Sequence, residues 1–88
     1  MTWIENKTKE AGYCEFSIEC LTDTHLFVIG KLRRLDNTIE YVLVQYRGQK
    51  PETSELLSYN NWTDIETAMK AAWLTETWGD KYAESDYR

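Results

Sequence analysis

His25, Cys14 and Cys20 are the side chains whose types best suit nucleophilic or metal chemistry in this chain. A cysteine beside a histidine can form an activated nucleophile, and the same pair is a common zinc ligand set. Their spacing supports neither use. Cys14 and Cys20 fall outside the C-x₂₋₄-C spacing of zinc sites. On one extended strand they would lie about 20 Å apart, too far to bridge, which leaves buried thiols in a reducing compartment. No glycine-rich elbow, oxyanion-hole motif or third member accompanies the Cys/His pair, and no phosphate-binding loop or dinucleotide fingerprint is present. Asp80, Glu84 and Asp86 read as a solvated tail rather than a catalytic pair. The expectation is therefore a protein that is not an enzyme, with no catalytic residue, no bound metal and no cofactor.

Charge offers a second kind of site. Lys31, Arg33 and Arg34 form the one basic cluster, and a basic hairpin tip can approach a nucleic-acid groove. Against this, three cations release few counterions, and the net charge of the chain is −5. The acids gather at the two ends: residues 1–23 carry five acids against two bases, and residues 64–88 six against three. Such a surface disfavours phosphate backbones and favours a basic protein partner. Nucleic acid is the weakest of the partner readings. No segment is long and apolar enough to span a bilayer, and no basic-then-apolar leader is visible, so the expectation is a cytoplasmic protein without membrane contact.

These residues have to be positioned by a short chain, and 88 residues amount to one domain. Four Trp and six Tyr supply large buried area for so small a core. Thr22-Asp23 and Asp36-Asn37 read as two-residue hairpin loops dividing 13–47 into a three-stranded meander. With those loops, Ile29 lies opposite Val44, Phe27 opposite Tyr46, Arg33 opposite Glu40, Phe16 opposite Ile29 and Cys20 opposite His25. One face then collects Phe16, Ile18, Cys20, Phe27, Ile29, Val42, Val44 and Tyr46. Residues 1–11 read as an N-terminal arm or edge strand, 48–54 as a loop around Pro51, and 55–59 as a short fourth strand.

Helix signals follow. Thr63 and Glu66 have the spacing of a capping box, Ile65, Ala68, Met69, Ala72 and Trp73 recur at helical spacing, and Gly79 is a natural stop. The reading is α+β: a three- to four-stranded antiparallel meander with one C-terminal helix, 63–78, packed on one face, and a polar tail over 80–88.

One helix cannot cover both faces of a sheet. The same registers place Tyr13 on the second face with Leu26, Val28 and Leu32 and with Tyr41 and Leu43. Strand one is polar on that side, through Glu15, Ser17 and Glu19, while strands two and three are not. A half-apolar face of this kind marks a partner, a self-association surface, or cover by another part of the chain, with Trp3-Ile4 and Leu56 to Tyr59 as the candidates for cover. Trp78 falls off the helix stripe and joins the candidate interface, since exposed Trp is frequent in binding hot spots. The functional expectation is a small acidic protein-binding module, an inhibitor or adaptor that occludes or bridges a larger protein. A self-associating assembly subunit, as a homodimer, is the alternative.

Overall fold

The computed structural model describes residues 1–6, 14–50 and 52–84. It contains strands β1 (Ile4–Asn6), β2 (Cys14–Leu21), β3 (His25–Arg33), β4 (Ile39–Arg47) and β5 (Glu55–Trp62), then helices α1 (Ile65–Trp78) and α2 (Lys81–Glu84). The strands form one antiparallel sheet in the order β1-β2-β3-β4-β5, so every strand pairs with its neighbour in sequence. The α+β class agrees with the sequence, with five strands in place of three or four. The N-terminal arm supplies the edge strand β1, and the segment read as a short fourth strand extends to Trp62 as β5.

The two hairpin loops differ from those read in the sequence, with unequal consequences. Between β2 and β3 the two-residue loop is Asp23-Thr24, closed by the Thr22 amide donating to the His25 carbonyl at 2.9 Å. The register therefore moves by two residues, pairing Ile18 with Ile29 and Cys20 with Phe27. A shift of two keeps each side chain on its face, but it separates His25 from Cys20.

Between β3 and β4 the loop has three residues, Leu35 to Asn37. The Asn37 amide donates to the Arg34 carbonyl at 2.9 Å, the Arg34 amide to the Thr38 carbonyl at 2.8 Å, and Asn37 has φ 71°. A turn followed by a left-handed residue is the usual three-residue hairpin, and asparagine tolerates that conformation. The register becomes Val28↔Val44 and Ile29↔Leu43. This one-residue difference exchanges the two faces of β4. Tyr41, Leu43 and Gln45 face the helix, and Val42, Val44 and Tyr46 face away.

Between β4 and β5, Gly48 has φ 119°, and a Cβ there would meet Ser54 Oγ at 2.5 Å, so glycine is required on both counts. Its amide donates to the Thr24 carbonyl at 2.8 Å, tying this loop to the β2–β3 turn.

The core lies between α1 and the centre of the sheet: Cys20, Phe27, Ile29 and Leu43 against Ala68, Ala71 and Ala72. Trp3, Ile18, Tyr41, Trp62, Ile65 and Met69 pack around its edge. Thr75 is fully buried and donates its hydroxyl to the Ala71 carbonyl at 3.3 Å. The buried stripe is thus 68, 71, 72 and 75, rotated from the one expected through Trp73, which is 47% exposed. Alanines let the helix backbone approach closely, and the bulk comes from the sheet; a Trp under the helix would hold the layers apart. The N-cap is Asp64, not Thr63. Its carboxylate accepts from the Thr67 amide at 3.1 Å and from the Thr67 hydroxyl at 3.0 Å. Gly79 ends the helix, its amide donating to the Thr75 carbonyl at 2.9 Å.

Candidate functional site

The far side of the sheet is the largest candidate surface. Leu26 and Val28 come from β3, Val42, Val44 and Tyr46 from β4, and Tyr59 from β5, which pairs with Val44. Around them stand Ile4, Leu21 and Leu56, all more than half exposed, and Tyr59 at 61%. Strands β1 and β5 widen the sheet instead of folding over it, so the cover expected from Trp3-Ile4 or Leu56 to Tyr59 is not formed. Trp3 turns to the helix side, its ring centroid 6.5 Å from that of Phe27. Among the described residues, both helices lie on the other side. At the lower border Gln49 donates to the Thr22 carbonyl at 2.8 Å and lines a recess with Ile4, Glu19, Leu21 and Leu26, which leaves Leu26 only 5% exposed.

Charge on this face lies beside the valines and tyrosines of β3, β4 and β5: Glu19, on β2, sits between Ile4 and Val28. At the opposite end Glu40 accepts from Arg34 at 2.8 Å and from Asn61 at 2.7 Å. The Arg34 hydrogen bond holds the Glu40 carboxyl below its usual value, and Glu40 raises Arg34 in return.

The sequence-derived interface residues divide accordingly. Leu26, Val28 and Leu32 lie on the open face, and Trp78 is 61% exposed on the helix layer. Tyr41 and Leu43 do not belong to the open face: the three-residue loop turns both to the helix, and Leu43 is fully buried in the core. Tyr13 lies outside the described residues. Val42, Val44, Tyr46 and Tyr59 take their place. Asn37 was the available signal, since a left-handed asparagine lengthens the loop by one residue and reverses the assignment of β4.

The basic tip is neutralised by its own neighbours. Lys31 lies 3.7 Å and Arg33 3.2 Å from Glu15, and the Arg33 hydrogen bond lowers the Glu15 carboxyl. Arg33 was expected beside Glu40; the register gives that partner to Arg34. Lys31 also sits over the Phe16 ring, 5.5 Å from its centroid. A phosphate would have to displace a carboxylate from each of the three cations.

His25 is buried where the β2–β3 turn meets the end of α1. Its ring stacks on Phe27, centroids 5.4 Å apart. Nδ1 lies 3.0 Å from Glu76 Oε1, and Nε2 lies 2.7 Å from Asp80 Oδ1, which also pairs with Arg47 through its second oxygen. Thr24 Oγ1 is 2.8 Å from Nδ1. Hydroxyl, imidazole and carboxylate thus occur in the order used by acyl-transfer triads. Two features oppose that use. The His25 ring is buried, and both of its nitrogens are already engaged, Nδ1 by Thr24 and Glu76 and Nε2 by Asp80, so neither is open to a substrate. The amides of Thr24 and His25, the donors nearest the hydroxyl, already donate to Thr22 Oγ1 at 3.2 and 2.9 Å. The cluster works as a clamp joining the turn, the end of β4 and the helix terminus. Cys20 is a buried free thiol in the core, and burial pushes its pKa up, opposite to what a nucleophile needs.

Comparisons with protein-family models, with curated proteins and with solved structures give no match. No described helix is long and apolar enough to cross a membrane.

Proposed function

We propose that this protein is a non-catalytic protein-binding module, an inhibitor or adaptor that meets a larger protein through the open face of its sheet. The supporting observation is the continuous apolar surface of Val28, Val42, Val44, Tyr46 and Tyr59, bare of cover among the described residues, with Glu19 and Glu40 as the acids beside it. Antiparallel sheets that face water ordinarily alternate to polar side chains on the wet side. Here the wet side carries valine and tyrosine on three adjacent strands. An apolar centre within a polar rim is the anatomy of a protein–protein interface. Tyr46 and Tyr59 add aromatic anchors of the type found at hot spots. The self-neutralised basic tip is the reason nucleic acid is not the reading adopted.

A photo-crosslinking residue placed at position 44, and in a second variant at Lys70 on the exposed side of α1, tests this in a lysate of the native host. Defined adducts from position 44 alone, suppressed by excess unlabelled wild type but not by excess Val28→Glu, are expected. Equal labelling from the two positions, or none, would remove the open face from consideration.

A further inference from the structure

We infer that the occupant of the open sheet face, when the protein is on its own, is a second copy of this chain, giving a face-to-face dimer with the two sheets inside and the two helix layers outside. The inference rests on the reading that this face binds protein, and it names the partner.

Size is the first argument. Four strands, β2 to β5, of eight or nine residues at about 3.3 Å rise and about 4.8 Å spacing give a face of roughly 20 by 28 Å, with the three-residue β1 at its edge. Its corrugated accessible area comes close to the roughly 800 Å² per partner of a standard stable interface. The molecule measures 35 × 27 × 20 Å, so this face is nearly as broad as the molecule itself.

Charge is the second. An isologous dimer sets a patch against itself, so any net charge inside the patch would oppose its own kind. Val28, Val42, Val44, Tyr46 and Tyr59 contain none; Glu19, on β2 between Ile4 and Val28, lies two strands from β4, so a two-fold axis at β4 keeps its two copies apart. Glu40 at the margin is neutralised by Arg34 at 2.8 Å. The net negative charge of the chain is carried elsewhere: Asp64, Glu66, Glu76 and Asp80 belong to the helix layer and its caps, with Lys70 and Lys81 as the only lysines there. Packing sheet on sheet therefore places the acidic layers at maximum separation, whereas packing helix on helix would oppose them.

Shape is the third. Sheet faces stack about 10 Å apart with interdigitating side chains, and a row of valines flanked by tyrosines supplies the alternating small and large relief that such stacking uses.

Light scattering at two concentrations tenfold apart provides the test. Wild type should give twice the chain mass at both. Val44→Glu, and independently Tyr59→Arg at a 61% exposed position, should give the single-chain mass with unchanged circular dichroism. Trp78→Ala, on the helix layer, should remain dimeric. A single-chain wild type, or a dimer that survives both face substitutions, overturns the inference. The crosslinking residue at position 44 then separates the two levels. Adducts with a different protein from a monomeric wild type would retain the binding-module reading and reject only the second copy. No adduct of any kind would reject both.

Discussion

The two faces of this sheet are built from the same strands and nearly the same residue types, yet they follow different rules. On the helix side large groups meet small ones: Phe27, Ile29 and Leu43 fill the hollow that Ala68, Ala71 and Ala72 leave. On the open side Val28, Val42, Val44, Tyr46 and Tyr59 stand against no described element. Hydrophobicity alone does not distinguish the faces. What distinguishes them is whether a complementary surface is supplied by the same chain, and this chain supplies one helical layer for a sheet with two apolar sides.

That contrast can be broken most forcefully at Phe27. Phe27→Ala should cost about 3–5 kcal/mol in urea unfolding, because the cavity opens between packed layers. Val44→Ala, directly across the sheet, should change the stability of the isolated chain by no more than about 0.5–1 kcal/mol while altering the solution mass. Equal losses at the two positions would mean that the open face is covered within the single chain. Overfilling the helix side comes next: Ala72→Leu should cost about 1–3 kcal/mol, since the helix must lift from the sheet. Removing the cap with Asp64→Ala should cost about 1 kcal/mol, seen as a lower melting temperature with the sheet signal retained.

The smallest effect concerns the charged rim. Glu15, Asp36 and Glu40 are held below their usual values of 4.5, 3.8 and 4.5, chiefly by hydrogen bonds from Arg33, Thr38 and Arg34. Each favours the ionised form in the folded chain, so its contribution is present above those values and is lost as pH falls below them. A modest fall of the urea midpoint below about pH 4.5 is expected. It should be reduced by added salt, and Arg34→Ala should remove the Glu40 share.

Much of the architecture was legible, for reasons that can be assigned to particular residues. Alternation over Phe16 to Cys20 and Phe27 to Ile29 places β2 and β3 correctly, and a two-residue error in their register leaves faces intact. Gly79 marks the helix stop, and the loop from Gly48 to Ser54 falls where its composition puts it. The face of β4 was not legible by pattern, because Tyr41 and Leu43 are as apolar as Val42 and Val44, and only the conformation of Asn37 decides between them. The helix stripe was misread for a related reason. Large apolar residues attract a core assignment, but close packing against Phe27 and Leu43 selects alanines and leaves Trp73 outside. Three of the seven residues read as an interface, Leu26, Val28 and Leu32, keep the face expected of them because they sit on β3, whose face never depended on the loop.

The His25 clamp has a consequence in time. Every strand pairs with its sequence neighbour, so the sheet can assemble hairpin by hairpin with short loop closures. The bonds from Glu76 and Asp80 back to His25 instead span 51 and 55 residues. They tether the end of a helix that packs on β3, β4 and β5 and against α2. Helix and sheet are therefore expected to open as separate cooperative units, with the clamp setting how often one lifts from the other. Amides of α1 should exchange with deuterium sooner than those of β3 and β4, and Glu76→Gln should widen that interval by speeding the helix alone.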